Sequence, residues 1–129
     1  MQMTPLVFEG RLPVQGYGNG GFRFQGSFHQ GSVIALPTGI VSWPVQSLNT
    51  ADAESLEPLI AARDEIDFVL FGTGDEHLFL PPPLREALDA VGLMADPMAT
   101  GPACRTYNVL LAEDRRVAAA FIAVAGKGQ

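Results

Sequence analysis

Apolar and polar positions follow a two-residue period in short, glycine-punctuated pieces up to about residue 50, and a helical period alternating with solid apolar runs after it. Phe22-Arg23-Phe24 reads apolar, polar, apolar, which is the order of a half-buried strand, and it follows glycines at 16, 18, 20 and 21 that concentrate backbone freedom ahead of it. Gly31 to Leu36 and Gly39 to Trp43 are the next predicted strands, with Pro37-Thr38-Gly39 as the turn between them. An antiparallel meander is expected. Pro44 lacks an N–H and is expected to end the last strand or to hold it at an edge.

From residue 52 the alternation of helix and strand predicts a sheet with parallel pairs and crossover helices. Leu56, Leu59, Ile60 and Arg63 share a helical face, Pro58 fits a first turn, and Ser55 is the expected N-cap. Ile66 to Phe71 is a near-continuous apolar run, predicted as a strand covered on both faces at the centre of the sheet. Pro83 can start the following helix and Gly92 can end it, with Leu84, Leu88 and Val91 as the buried stripe. Leu93 to Met98 reads as a strand interrupted by Asp96-Pro97. Thr100 is expected to cap a helix running to about Glu113, with Tyr107 packed on the sheet, and Val117 to Val124 is the last buried strand. The three strands are predicted to share one sheet, the first two of them parallel.

Parallel strands would deliver Gly72-Thr73-Gly74 and Ala99-Thr100-Gly101 to the same sheet edge, where open α/β sheets bind ligands and where a helix start offers free N–H groups. Arg105, expected in the first helical turn, would add a forked cation. The candidate anion site is therefore Gly72, Thr73, Gly74, Thr100, Arg105 and Asn108. The competing reading is a tight turn at Gly72 and Gly74, with Arg105 paired to Asp75 or Glu76. Cys104 is the only strong nucleophile available, and a helix start beside Arg105 would lower its pKa. With Asn108 on the same helical face and His77 on a nearby loop, the residue types of a cysteine hydrolase are present. A lone helical cysteine is more often small core packing, so Cys104 is expected to be non-catalytic.

Composition narrows the classes. The 129 residues suit one domain, and 47% apolar with 17% charged residues suits a packed core. A net charge of −6, one lysine and no basic run give no footprint for nucleic acid or an anionic membrane surface. One cysteine and two widely separated histidines, His29 and His77, predict no internal disulfide, no metal centre and no cofactor. Met1 to Gly10 lacks a signal pattern, and Val117 to Ala125 falls short of the ~20 apolar residues of a spanning helix, so a cytoplasmic protein is expected. The glycines from 16 to 21 are not followed by the Lys-Ser/Thr of a phosphate loop, and Asp52, Glu54 and Glu57 read as a solvated helix start. Phe79-Leu80-Pro81-Pro82-Pro83 is the nearest thing to an exposed contact element, because proline limits the entropy lost on docking, although packing of such apolar residues against their own sheet is the commoner outcome.

Taken together, Gly20-Gly21-Phe22-Arg23-Phe24 with Gly26, Gly31-Ser32-Val33, Trp43-Pro44, Phe71-Gly72-Thr73-Gly74 and above all Met98 to Ala120 resemble a widespread small-domain family of unknown biochemical function. Its eukaryotic members include a mitochondrial complex I assembly factor and an adipogenesis-associated cytosolic protein. The chain departs from the family pattern at Gly101-Pro102, and at Asp114, where relatives commonly carry glycine. The resemblance implies a three-layer α/β fold in which a mixed central sheet carries helices and an extra N-terminal antiparallel β layer. It also implies a protein-binding role in assembly of a membrane complex such as respiratory complex I; a small-molecule or anion site around Gly72, Arg105 and Cys104 is the alternative.

Overall fold

A computed structural model describes residues 5–127; the first four residues of the Met1 to Gly10 stretch and the last two of the chain lie outside it. Among the described residues the strands are β1 (Leu6–Glu9), β2 (Gly16–Gly18), β3 (Gly21–Phe24), β4 (Ser27–Gln30), β5 (Ser32–Leu36), β6 (Gly39–Trp43), β7 (Phe68–Gly72), β8 (Met94–Met98) and β9 (Val117–Phe121). The α-helices are α1 (Glu57–Ala61), α2 (Pro82–Asp89) and α3 (Thr100–Ala112).

A mixed six-stranded sheet runs in the order β1-β6-β5-β9-β7-β8. β7 is parallel to β8, as expected, and also to β9, whose direction the sequence left open, while β9 meets β5 antiparallel and so joins the two halves of the chain. The solid apolar run of β7 is interior, one place from the edge rather than at the centre, which β5 and β9 occupy. β9 is Val-Ala-Ala-Ala-Phe, buried throughout, and its small residues let α3 lie close to the sheet. Both edges are blunted. β1 carries a register shift between Leu6 and Phe8, and β8 carries Pro97, which an edge strand tolerates because one side of it needs no donors.

The predicted single meander is split. β5 and β6 pair through the expected turn inside the large sheet, but β3 pairs instead with β2 and β4 in a separate three-stranded antiparallel layer. Two tight turns make that layer. Asn19-Gly20 and Gln25-Gly26 each hold two successive residues at positive φ, the backbone of a two-residue hairpin whose twist matches its strands.

One face of the large sheet packs Val41, Trp43, Val69, Phe71 and Ala120 under Leu56, Leu59, Leu84 and Leu88 from the helical side. The other face packs Val33, Ile40, Leu70 and Phe121 under α3 and under Phe22 and Phe24 of the small sheet. The chain is thus a three-layer α/β fold. Ser55 is not the cap expected of it: Asp52 accepts from the Ser55 N–H at 2.9 Å, starting a 3-10 turn that leads into a five-residue α1. α2 begins with Pro82 and Pro83 in its first turn and stops before Gly92, which sits at φ +74°.

Candidate functional site

The carboxyl end of β7 and the start of α3 meet as the parallel pairing requires. Gly72 lies so close to α3 that a Cβ there would stand 3.0 Å from Thr100 Oγ1 and 3.1 Å from Thr100 Cα. Thr100 is the first residue of α3 rather than its cap, a place taken by Ala99. Its hydroxyl donates to the Ile122 carbonyl at 2.7 Å and accepts from the Gly74 N–H at 3.0 Å, while its own N–H donates to the Gly74 carbonyl at 2.8 Å. One buried side chain therefore ties β7, α3 and the segment after β9 together. Thr73 does the same for the loop that follows: its N–H donates to the Met98 carbonyl at 2.8 Å, its hydroxyl donates to the Glu76 carbonyl at 2.5 Å, and its oxygen accepts from the Leu78 N–H at 3.2 Å.

Gly72, Thr73, Gly74 and Thr100 are thus brought together, and the polar groups just described are directed into the protein. Arg105 and Cys104 lie farther along α3. Arg105 is in its second turn, not its first, and is exposed; its Nη1 stands 3.4 Å from the Tyr17 hydroxyl, and neither Asp75 nor Glu76 pairs with it. Tyr17 reaches across from β2 onto the start of α3 and lies close over Gly101, where a Cβ would stand 2.5 Å from the hydroxyl and push the ring aside. Asn108 points away from this edge: Oδ1 accepts from the Val14 N–H and Nδ2 donates to the Val14 carbonyl, both at 2.8 Å. It clamps the chain that leads into the small sheet.

Cys104 is buried among apolar side chains. Burial outweighs the Arg105 charge and pushes the thiol up to about 12, opposite to the lowering expected of a helix start beside a cation. Tyr107, one turn on, packs edge-on against Phe121 with ring centroids 5.5 Å apart, donates to the Leu12 carbonyl at 3.2 Å, and is likewise raised by burial. Just past the end of α3 and its C-cap Glu113, Asp114 takes φ +59° and pairs with Arg11 at 2.7 Å. An aspartate tolerates this left-handed position, and the ion pair gives it a role that glycine would lack.

The loop from Thr73 to α2 ends differently from how it starts. Leu80 turns inward, but Phe79 beside it is 87% exposed, its ring 5.9 Å from that of His77. The sequence pattern marked this segment as the nearest thing to an exposed contact element; Phe79 is exposed and Leu80 is not. It did not mark Tyr17, Arg23, Phe28 or Lys127, which gather on the small sheet. No helix among the described residues is long and apolar enough to cross a membrane.

Comparison with known proteins agrees with this architecture. A family model for a protein of unknown function (DUF498/DUF598) matches residues 14–122. The chain is 39% identical to an uncharacterised protein of Rhodobacter capsulatus over 92% of its own length and 90% of that protein's. It is 30% identical to NADH dehydrogenase [ubiquinone] 1 alpha subcomplex assembly factor 3 of Xenopus tropicalis, covering 84% of this chain but 60% of that relative. A crystal structure described as an outer membrane protein from Bartonella henselae superposes with a TM-score of 0.86 at 45% identity, over 91% of this chain and 98% of that one. The chain belongs to the DUF498/DUF598 family of proteins of unknown function.

Proposed function

We propose that this protein binds another protein, and that it does so from the cytoplasm in the assembly of a membrane complex, respiratory complex I being the leading candidate. The observation that carries the reading is Phe79: a large apolar ring, 87% exposed, on a loop pinned at its start by Thr73 and at its end by the prolines of α2. An exposed ring on an ordered support loses little freedom on docking, which is how binding surfaces gain from rigidity. Leu78 beside it is also exposed, so the two form a small apolar patch. The target comes from the relatives named as complex I assembly factors, of which this chain spans about three-fifths. A single cysteine, buried and reduced, suits the cytoplasm.

Deleting the gene in a host that possesses complex I, and measuring assembled complex alongside subunit transcripts, tests the reading. Less assembled complex at unchanged transcript levels is expected; normal assembly removes the target. A second reading, an anion site around Gly72, Thr73, Gly74, Thr100 and Arg105 at the sheet edge, without Asn108, is favoured by one observation. Arg105 is an exposed cation whose guanidinium reaches the Tyr17 hydroxyl over the start of α3. Phosphate titration should then shift the amides of Gly74 and Gly101 together.

A further inference from the structure

The charges of this chain are unevenly placed. None of its 14 acidic residues falls between Gly10 and Ala51 or after Asp114, although the net charge is −6. The carboxylate-free stretches include β5, β6 and β9 of the large sheet and the whole of the small sheet with the segment beside it, where Asn19 and Gly20 donate to the carbonyls of Gly126 and Val124, each at 2.8 Å. On the outer face of that sheet lies a cleft of about 300 Å³ lined by Gly16, Tyr17, Gly18, Asn19, Arg23, Phe28 and Lys127. Gly16, Arg23 and Phe28 are cross-strand partners and so share one face. Gly16 and Gly18 leave this face of β2 without side chains, Tyr17 between them reaching toward α3, so bare backbone forms the floor. Arg23 and Lys127 supply two cations, and among the described residues no carboxylate lines the cleft. Phe28, 42% exposed, lies under the Arg23 guanidinium at 5.9 Å, which holds the cation in place while leaving its outer edge open. Arg23 also donates to the Gly26 carbonyl at 3.2 Å.

We propose that this cleft binds a short acidic segment of a partner polypeptide, with glutamate or aspartate carboxylates on Arg23 and Lys127 and an apolar neighbour against Phe28. Both cations are at the surface, so each contact is screened by water and weak alone. A single small anion would be held poorly, whereas a segment presenting two carboxylates engages both cations at once and lays backbone over the glycine floor. A nucleic acid fits less well: its affinity comes from many phosphate contacts, and this chain offers two cations in the cleft against an overall charge of −6. The inference rests on the protein-binding reading for the class of partner, and it concerns a surface separate from Phe79.

The test is an amide-shift titration of the intact protein at low salt with a synthetic peptide of alternating glutamate and phenylalanine. Its controls are the glutamine counterpart of that peptide, inorganic phosphate, and a single-stranded oligonucleotide. Saturable shifts at Gly16, Gly18, Arg23 and Phe28 are expected with the glutamate peptide, weakening as salt rises. Arg23→Glu should lower the affinity by about tenfold or more, Lys127→Glu should act in the same direction, and Phe79→Ser should leave it unchanged. Spectra unchanged outside the cleft certify that the charge-reversed variants fold. No saturable shift, equal binding of the glutamine peptide, or tighter binding of phosphate or the oligonucleotide overturns the proposal. Because no membrane complex enters this experiment, its failure is separable from a failure of the assembly reading.

Discussion

The loop between β7 and α2 has two ends that behave in opposite ways. At its start Thr73 and Gly74, with Thr100 across from them, look like the polar furniture of a ligand site, yet their N–H, carbonyl and hydroxyl groups bond to one another and to Met98 and Ile122. At its far end Phe79 has the chemistry of a core residue and stands in solvent. Residue type alone would assign the roles the other way round. A buried polar group must find partners, so polar residues where strands and helix converge hold the fold together; an apolar ring left out of a core with room for Leu80 is available to a partner.

The largest effect should come from breaking the junction. Thr100→Val keeps the shape but leaves the Ile122 carbonyl and the Gly74 N–H without their partner, costing about 2–4 kcal/mol, read as a lower urea midpoint at unchanged slope. Thr100→Ser keeps the hydroxyl and should recover most of that loss. Gly72→Ala should cost somewhat less, about 1–3 kcal/mol, because the new methyl meets Thr100 Cα and Phe121, and a helix backbone yields little.

Cys104 sharpens the comparison through pH. Its folded pKa is raised above the unfolded value, so the stability held by the neutral thiol is fully present below about pH 8.5 and is lost as the pH climbs toward about 12. Stability should fall across that window by up to about 1.4 kcal/mol per pH unit from this group, and Tyr107, raised the same way, steepens the upper part. Cys104→Ala should flatten the slope, and iodoacetamide should label the native thiol slowly at neutral pH; rapid labelling would place the thiol in an open, activated setting instead. The smallest effect on stability belongs to Phe79→Ser, expected to stay within about 0.5 kcal/mol of the parent.

Much of this architecture was legible in the sequence. The solid apolar runs identified the buried core strands, since a strand covered on both faces suits Val69-Leu70-Phe71 or Val117 to Ile122. The small sheet was less legible because β3 alternates like any half-buried strand, and alternation does not say which neighbour it pairs with. Asn19-Gly20 carried the missing signal as a hairpin dipeptide ahead of Phe22. The convergence of Gly72, Gly74 and Thr100 followed from topology, but the direction of each hydroxyl did not, and neither did the attachment of Asn108 to Val14 across 94 positions of chain. The run without carboxylates from Gly10 to Ala51 was in plain view; total charge hid it, because the −6 sum averages over its placement.

The central claim is that Phe79 works outward while Thr100 works inward, and one variant tests it most directly. In a complex I-containing host whose own copy is deleted, Phe79→Ser should accumulate to the level of the unmodified protein and unfold at the same urea midpoint, yet support less assembled complex. Full assembly with Phe79→Ser at normal abundance would contradict the account, because the ring exposed on the stiffened loop would then have no part in what the protein does.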